Sequence, residues 1–141
     1  MGEETREVRS HTGHLIRVAQ QRHMAIWAQV VGLDTTNVQY GVLTVLDAHP
    51  GASQKDICEA LELDRSTVAD VCVRMEKASL VSREVAAEDR RRNVLLLTSS
   101  GKAELSRIRP LVDEVQTRLL SKLDVNEKAQ LRELLLGLLG E

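Results

Sequence analysis

Residues 51–84 read GASQKDICEALELDRSTVADVCVRMEKASLVSRE, and the fold is decided in this stretch. Ser53 and Asp56 have the spacing of a capping box, in which each side chain bonds the backbone N–H of the other residue. This pattern predicts a short helix from Gln54 to about Leu61.

A second helix is predicted after a tight turn. Asp64 or Ser66 can cap it, and apolar residues then recur every three or four positions as far as Ser79. Its inward side is formed by Val68, Val71, Cys72 and Met75. Two helices joined by a tight turn are typical of the helix-turn-helix motif.

Two β-leaning segments follow at residues 80–85 and 93–97, separated by the arginine-rich stretch 86–92. Two strands joined by a charged loop predict a hairpin. The order of helix, turn, helix and hairpin indicates the winged variant of the helix-turn-helix.

The sequence before this region predicts two more helices. The first runs from about residue 8 to residue 31 and is stopped by Gly32. Thr35 or Thr36 caps the second, which ends near Ala48. The predicted fold class is therefore mainly α with a small β-hairpin wing.

Two amphipathic helices follow the hairpin. The first carries a coiled-coil-like seam, at Leu105, Ile108, Val112, Val115 and Leu119. Pro110 should bend this helix or break it slightly. Asp124 with Glu127 caps the last helix, whose apolar face is Leu131, Leu134, Leu135, Leu138 and Leu139. We expect a lone subunit to leave both stripes exposed, which predicts a homodimer; the alternative is that both pack within one subunit.

The composition limits the function. The chain has 141 residues, 43% of them hydrophobic, and a net charge of -2, so any DNA-binding surface must be local. No apolar stretch approaches the roughly 20 residues that span a bilayer, and no signal peptide is recognisable, so we expect a cytoplasmic protein without a membrane partner. We also expect no metal, no cofactor and no enzymatic activity, because zinc-ligand spacing, a nucleophile elbow, a phosphate-binding glycine loop and an HExxH motif are all missing from the sequence.

The predicted second helix of the motif carries polar and basic side chains on its first turns, which enter the major groove in such motifs. Arg65 can donate paired bonds to a guanine edge, and Ser66 and Thr67 can reach a base or a phosphate. The wing arginines suit a narrow minor groove, and Asp89 could orient one of them. The predicted DNA contacts are Ser53, Gln54, Arg65, Ser66, Thr67, Asp70, Arg74, Asp89, Arg90, Arg91 and Arg92. The alternative is a solvated helix face and an ordinary charged turn.

At these residues the chain resembles the MarR family of bacterial regulators. The more specific segment is DRRRNVLLLTSSGKAEL at residues 89–105. Family members typically show Asp-x-Arg at the wing tip and Leu-Thr-x-x-Gly at the start of the long helix, matched here by Asp89, Arg91, Leu97, Thr98 and Gly101. The common Ser after that arginine is Arg92 here, so we expect the wing-tip contacts to differ in detail.

The resemblance implies a two-fold dimer held by terminal helices, at about residues 8–34 and 99–141. The winged lobe, at about residues 35–98, then binds a pseudo-palindromic operator with one recognition helix in each half-site. We expect a repressor that a small ligand releases from DNA, by favouring a spacing of the recognition helices that no longer matches the roughly 34 Å of one helical turn.

The predicted first helix carries the candidate ligand residues, in a region expected between the dimer interface and the DNA-binding lobe. Arg17 suits an organic carboxylate, His23 a hydrogen bond, and the aromatic residues an apolar wall. The full set is His14, Arg17, Gln21, His23, Trp27 and Tyr40. The segment GHLIRVAQQRH before Trp27 also resembles the family branch that controls breakdown of aromatic acids, which implies an aromatic carboxylate or its coenzyme A thioester as effector. The alternative is that Arg17 makes a salt bridge and the histidines are solvated.

Two other functions remain open from the sequence. A redox-sensing regulator would use Cys58 or Cys72, although buried reduced thiols are the simpler interpretation. A protein-interaction module would use the leucine-rich terminal helices without DNA, and the arginine-rich wing would then have no purpose.

Overall fold

The computed structural model describes residues 3–141, which form seven helices and a two-stranded antiparallel sheet. The elements are α1 (Glu3–Ser10), α2 (Thr12–Val30), α3 (Asn37–Ala48), α4 (Gln54–Leu61), α5 (Arg65–Lys77), β1 (Val81–Val85), β2 (Asn93–Leu97), α6 (Ser99–Leu119) and α7 (Val125–Leu139). The predicted fold class is therefore confirmed. None of these helices is both long enough and apolar enough to cross a membrane.

The chain divides into two compact units. The central unit is Val31–Leu111, and the terminal unit combines the described residues up to Val30 with those from Val112 onwards. The central unit contains α3, α4, α5, the hairpin and the first half of α6. The functional assignment of the terminal helices to dimerisation stays a prediction.

The helix starts in the central unit follow the predicted caps. Thr36 caps α3, and its side chain accepts from the backbone N–H of Gln39 at 3.1 Å. Ser53 and Asp56 form the expected capping box on α4, and Asp64 caps α5. Thr35, the other candidate for α3, is buried and donates its hydroxyl to Glu104 of α6 at 2.9 Å.

The core of the central unit is aliphatic. α3 packs against α4, α5 and β2, while α5 also packs against α4 and β1. The fully buried side chains there are Val42, Leu43, Leu46, Ile57, Val68, Cys72, Met75, Leu95, Leu105 and Ile108. The inward stripe predicted for the second helix of the motif is confirmed at Val68, Cys72 and Met75, whereas Val71 is half-buried.

The hairpin has a third partner. β1 and β2 pair in antiparallel register with Val81 opposite Leu97 and Val85 opposite Asn93. On the other edge of β2, the Leu95 N–H donates to the carbonyl of Ala52 at 2.9 Å, and its carbonyl accepts from the N–H of Gly51 at 3.0 Å. The backbone just before α4 therefore holds the wing to the helix-turn-helix.

The predicted single first helix is wrong in one respect, because it is interrupted at His11. The His11 N–H bonds the carbonyl of Val8 at 3.2 Å, a three-residue step, and the Ser10 hydroxyl donates to the carbonyl of Glu7 at 2.6 Å. Ser, His, Thr and Gly in succession are weak helix formers, and a side chain that bonds the backbone competes with the helix. α1 and α2 are therefore separate helices.

The stripe on α6 does not form an exposed seam. Leu105, Ile108 and Val115 are buried within a single chain, so the expectation that a lone subunit exposes this stripe is wrong at these residues, while Val112 and Leu119 are half-buried. A repeat of apolar residues marks a buried face without stating which chain covers it. α6 also continues through Pro110 to Leu119 without a break.

The leucine face of α7 is exposed to solvent, as predicted for a lone subunit. Its start is capped by Asp124 and Glu127, and its side chains at Leu134 and Leu138 are 72% and 62% exposed. Leu135 and Leu139 are exposed as well, and no residue of this helix is buried. The terminal unit therefore displays an apolar helix face to solvent.

Candidate nucleic-acid interface

The first turn of α5 presents the predicted reading residues. Arg65, Ser66 and Asp70 are exposed and Thr67 is half-buried, while Arg74 is exposed further along the same helix. The exposed residues lie off the buried stripe because the helix repeat turns them to the opposite face. The helix thus offers a polar and basic face of the kind that the major groove accepts.

Asp64 holds both hydroxyl groups of this turn. Ser66 Oγ donates to Asp64 Oδ2 and Thr67 Oγ1 donates to Asp64 Oδ1, each at 2.5 Å. The backbone N–H of Thr67 also donates to Oδ2 at 3.1 Å. These bonds, those from Ser66 foremost, hold the pKa of Asp64 well below its usual range, so the carboxylate is ionised at every working pH.

The wing tip is a turn built by Asp89. Its carboxylate accepts from the backbone N–H of Arg91 at 3.0 Å, and its carbonyl accepts from the N–H of Arg92 at 3.0 Å. Within residues 3–141 its carboxylate forms no ion pair with an arginine side chain, so the role predicted for Asp89 in orienting such a side chain stays a prediction. These two bonds to the backbone give Asp89 a structural role in the turn, next to three arginines.

Arg92 differs from the other two wing arginines. Its Nη2 lies 3.1 Å from Asp56 Oδ2, on the capping box of α4. Hydrogen bonds from the Ser53 backbone and hydroxyl, together with the Arg92 charge, lower the pKa of Asp56. Arg92 therefore fastens the wing to α4, and whether it also reaches DNA stays a prediction.

Eight arginines lie in the central unit, and they fall into two groups. Ion pairs within 4.0 Å involve Arg83, Arg92, Arg107 and Arg109. Within residues 3–141, no ion pair is formed by the other four, which are Arg65, Arg74, Arg90 and Arg91. All four belong to the DNA contacts that the sequence predicts. Their charge is not neutralised by the protein, as a phosphate-binding surface requires.

Ser53 and Gln54 are engaged within the protein. Ser53 takes part in the capping box, and Gln54, with its amide oxygen turned toward Arg83, accepts from Nη2 of that arginine at 2.9 Å. Their contacts with DNA stay predictions.

Arg83 is a positioning residue that sequence reasoning missed. It reaches from β1 to Glu76 of α5, with Nε and Nη2 at 2.8 and 2.6 Å from Oε1. With the bond to Gln54, one guanidinium joins β1, α5 and α4. Arg83 and Glu76 are seven positions apart but lie in different elements, a strand and a helix, so no repeat within one helix or strand reveals the pair.

The Leu-Thr-x-x-Gly motif joins the hairpin to α6. The Thr98 hydroxyl donates to the Ser79 carbonyl at 2.5 Å and accepts from the Gly101 N–H at 3.0 Å. A Cβ atom at Gly101 would lie 2.0 Å from the carbonyl oxygen of Leu80, so only glycine fits without displacement of the backbone. The motif therefore fixes the turn after α5 against the start of α6.

The candidate ligand residues form two pairs along α2. Arg17 Nη2 lies 3.3 Å from His14 Nδ1, and the ring of His23 meets the buried Trp27 edge-on at a centroid distance of 6.1 Å. The remaining two are Gln21, exposed on α2, and Tyr40, half-buried on α3 in the central unit. A cavity of about 310 Å³ in the central unit is lined by none of the six, its walls including Val45, His49 and Ala60.

The cysteines offer little to a redox sensor. Cys72 is fully buried in the core, and burial raises the pKa of its thiol to about 11. The reactive form of cysteine is the thiolate, which is scarce at neutral pH for such a group. Cys58 is half-buried on α4.

Comparison with known proteins agrees with this geometry. Residues 32–92 match the model of the MarR family. The chain is 33% identical over 121 residues to the transcriptional regulator HosA of Escherichia coli O127:H6, which covers 86% of this chain and 89% of HosA.

Solved structures are similar over the same length. The transcriptional regulator PcaV of Streptomyces coelicolor, in complex with its natural ligand, superposes with a TM-score of 0.90 at 33% identity over 94% of both chains. BpsR of Bordetella bronchiseptica, whose DNA binding is regulated by 6-hydroxynicotinic acid, gives a TM-score of 0.87 at 29% identity over 91% of this chain and 92% of BpsR.

Proposed function

The chain belongs to the MarR family of DNA-binding transcriptional regulators, and from that premise we propose that it is a repressor released from its operator by a small organic acid. The observation that carries the DNA-binding site is the set of four arginines without ion pairs on α5 and the wing, in a chain of net charge -2. α5 enters the major groove and Arg90 and Arg91 reach the adjacent minor groove.

The repressor acts as a homodimer held through α7. Leu134, Leu135, Leu138 and Leu139 form an exposed apolar face, and such faces on soluble proteins are usually covered by a partner. A two-fold dimer places one recognition helix in each half of a pseudo-palindromic site.

We expect the parent protein to migrate as a dimer, with twice the 15.7 kDa mass of one chain, and the double variant Leu134→Glu, Leu138→Glu to be a monomer with unchanged helix content. Two buried carboxylates per subunit would carry a large desolvation cost in the interface. Size-exclusion chromatography with light scattering measures the mass. Val85→Glu, at an exposed apolar residue of β1, is the matched control and should remain dimeric. A monomeric parent, or a dimeric double variant, would exclude this interface.

The effector is an aromatic carboxylate or its coenzyme A thioester, bound at α2. When the effector is the free acid, Arg17 pairs with its carboxylate, since guanidinium and carboxylate geometries match, and in the described chain its side chain bonds only Nδ1 of His14. The ring of His23 packs against the buried indole of Trp27. His23 therefore provides a polar group next to an apolar ring. The regulation of BpsR by 6-hydroxynicotinic acid supports this class of ligand.

Titration calorimetry with aromatic carboxylates and their thioesters tests the effector. We expect one class to bind the parent and to release it from promoter DNA, and Arg17→Ala to bind about 10- to 100-fold more weakly, as removal of a charged hydrogen bond predicts. Arg22→Ala, an exposed arginine on the same helix, should bind like the parent. The proposal fails if no member of either class binds, or if Arg17→Ala leaves the affinity unchanged.

A further inference from the structure

The hydroxyl groups of Ser66 and Thr67 have a fixed polarity. A hydroxyl carries one hydrogen and two lone pairs, and in both residues the hydrogen is directed to a carboxylate oxygen of Asp64. What each hydroxyl presents to the outside is therefore its lone pairs. The first turn of α5 thus offers two hydrogen-bond acceptors where the residue types alone allow either role.

Asp64 stabilises this polarity in two ways. It is ionised, so it accepts hydrogen bonds and has none to donate. It also caps α5, which keeps it next to both hydroxyls whenever the helix is formed. Charged acceptors make stronger hydrogen bonds than neutral ones, so the two hydroxyl hydrogens are not readily released to another partner.

Few groups on DNA complement an acceptor. Phosphate oxygens, guanine O6 and N7, thymine O4 and adenine N7 are acceptors themselves, whereas the major-groove donors are the amino groups at adenine N6 and cytosine N4. The negative charge of Asp64 further disfavours a phosphate at this point.

We propose that Ser66 and Thr67 are specificity-determining residues that accept hydrogen bonds from the exocyclic amino groups of adenine or cytosine, and that Asp64 is the residue that sets their polarity. The proposal rests on the DNA-binding function proposed above. Arg65, next to them, offers only donors and reads the complementary edges of guanine or thymine. The first turn of α5 thereby distinguishes base edges that donate a hydrogen bond from base edges that accept one.

The test begins with duplexes that the parent protein selects from random DNA. In the preferred duplex, Ser66→Ala and Thr67→Val should each lower affinity about 2- to 10-fold and each lose preference at one base pair that presents an amino group. Both variants should keep the parent fold, since neither side chain is buried and Asp64 still caps α5 through the backbone N–H of Thr67; circular dichroism measures the helix content. If a variant lost the same affinity for every DNA sequence, the hydroxyl would contact a phosphate, and the proposal would be overturned.

Asp64→Asn tests the polarity itself. Asparagine still caps the helix, but its NH2 group cannot accept, so one hydroxyl is freed to donate. We expect the base pair that required an amino group to tolerate guanine or thymine in this variant. Glu62→Gln removes the same charge two residues away, without contact to either hydroxyl, and should keep the parent preference. An unchanged preference in Asp64→Asn would overturn the role of Asp64.

A base analogue gives an independent measurement. 2-Aminopurine pairs with thymine but carries its amino group in the minor groove. Its use in place of a selected adenine should lower the DNA affinity of the parent protein. The affinity of the variant that lacks the contacting hydroxyl, Ser66→Ala or Thr67→Val, should not change. Selection of guanine or thymine at both contacted positions contradicts the inference. If the parent shows no sequence-specific binding at all, the proposed function itself has failed, and that result is distinct from specific binding with unchanged preferences in the variants.

Discussion

The double variant Arg65→Glu, Arg91→Glu is expected to bind its operator at least about 100-fold more weakly than the parent. Each arginine of this type contributes roughly 1–3 kcal/mol to a protein–DNA complex, and reversal of its charge adds repulsion from the phosphates. In the proposed complex the two residues act on different grooves, Arg65 from the first turn of α5 and Arg91 from the wing. Because neither forms an ion pair within residues 3–141, their removal leaves no carboxylate of the protein unpaired.

Fluorescence anisotropy at several salt concentrations measures both the affinity and its salt dependence. The slope of log K against log salt should become shallower by about 1 for each arginine that no longer neutralises a phosphate. Arg6→Glu with Arg22→Glu is the matched control, because it changes the net charge equally at exposed arginines of α1 and α2. If the Arg65 and Arg91 variant, properly folded, kept the affinity and the salt slope of the parent, α5 and the wing would not be the DNA-binding surface.

Gly101→Ala should destabilise the protein by about 3 kcal/mol or more. The added methyl group would lie 2.0 Å from the carbonyl oxygen of Leu80, which is backbone and cannot turn aside as a flexible side chain does. Relief requires α6 to move away from the turn after α5, and that movement would break the hydrogen bonds of Thr98.

Urea unfolding followed by circular dichroism measures this destabilisation. Gly13→Ala is the control, since its position on α2 is open and alanine is the better helix former there. We expect that change to stabilise the protein by about 0.5–1 kcal/mol. A Gly101→Ala variant as stable as the parent would mean that the contact with Leu80 is easily relaxed and that the motif has another purpose.

The features that sequence predicts correctly are local. The capping residues Thr36, Ser53 and Asp64 bond groups only two or three positions away, so their spacing alone reveals the helix starts. The hairpin is likewise set by two short segments and the turn between them.

The features that sequence does not predict join distant residues. Arg92 and Asp56 are 36 positions apart, and their pairing depends on how the hairpin returns to α4. The stripe on α6 is predicted to be exposed in a lone subunit, but Leu105, Ile108 and Val115 are buried by their own chain. A periodic apolar pattern shows that a helix face is covered, not whether the same chain or a second subunit covers it. The backbone bond of Asp89 is not predicted either, because a carboxylate beside arginines suggests an ion pair, whereas the turn brings Oδ1 to the N–H of Arg91.

The attachment of β1 to α5 has a consequence for the operator. The Leu80 N–H donates to the carbonyl of Met75 at 2.9 Å and Arg83 forms an ion pair with Glu76, so two contacts tie the hairpin to α5. In the proposed complex, these contacts would fix the number of base pairs between the bases read by Arg65 and the minor groove reached by Arg91. One inserted base pair turns the two sites relative to each other by about 35°, given the 10–10.5 base pairs in a turn of B-DNA. The number of base pairs between the two contacted sites is thus part of the sequence specificity of each subunit, even where no side chain contacts those base pairs.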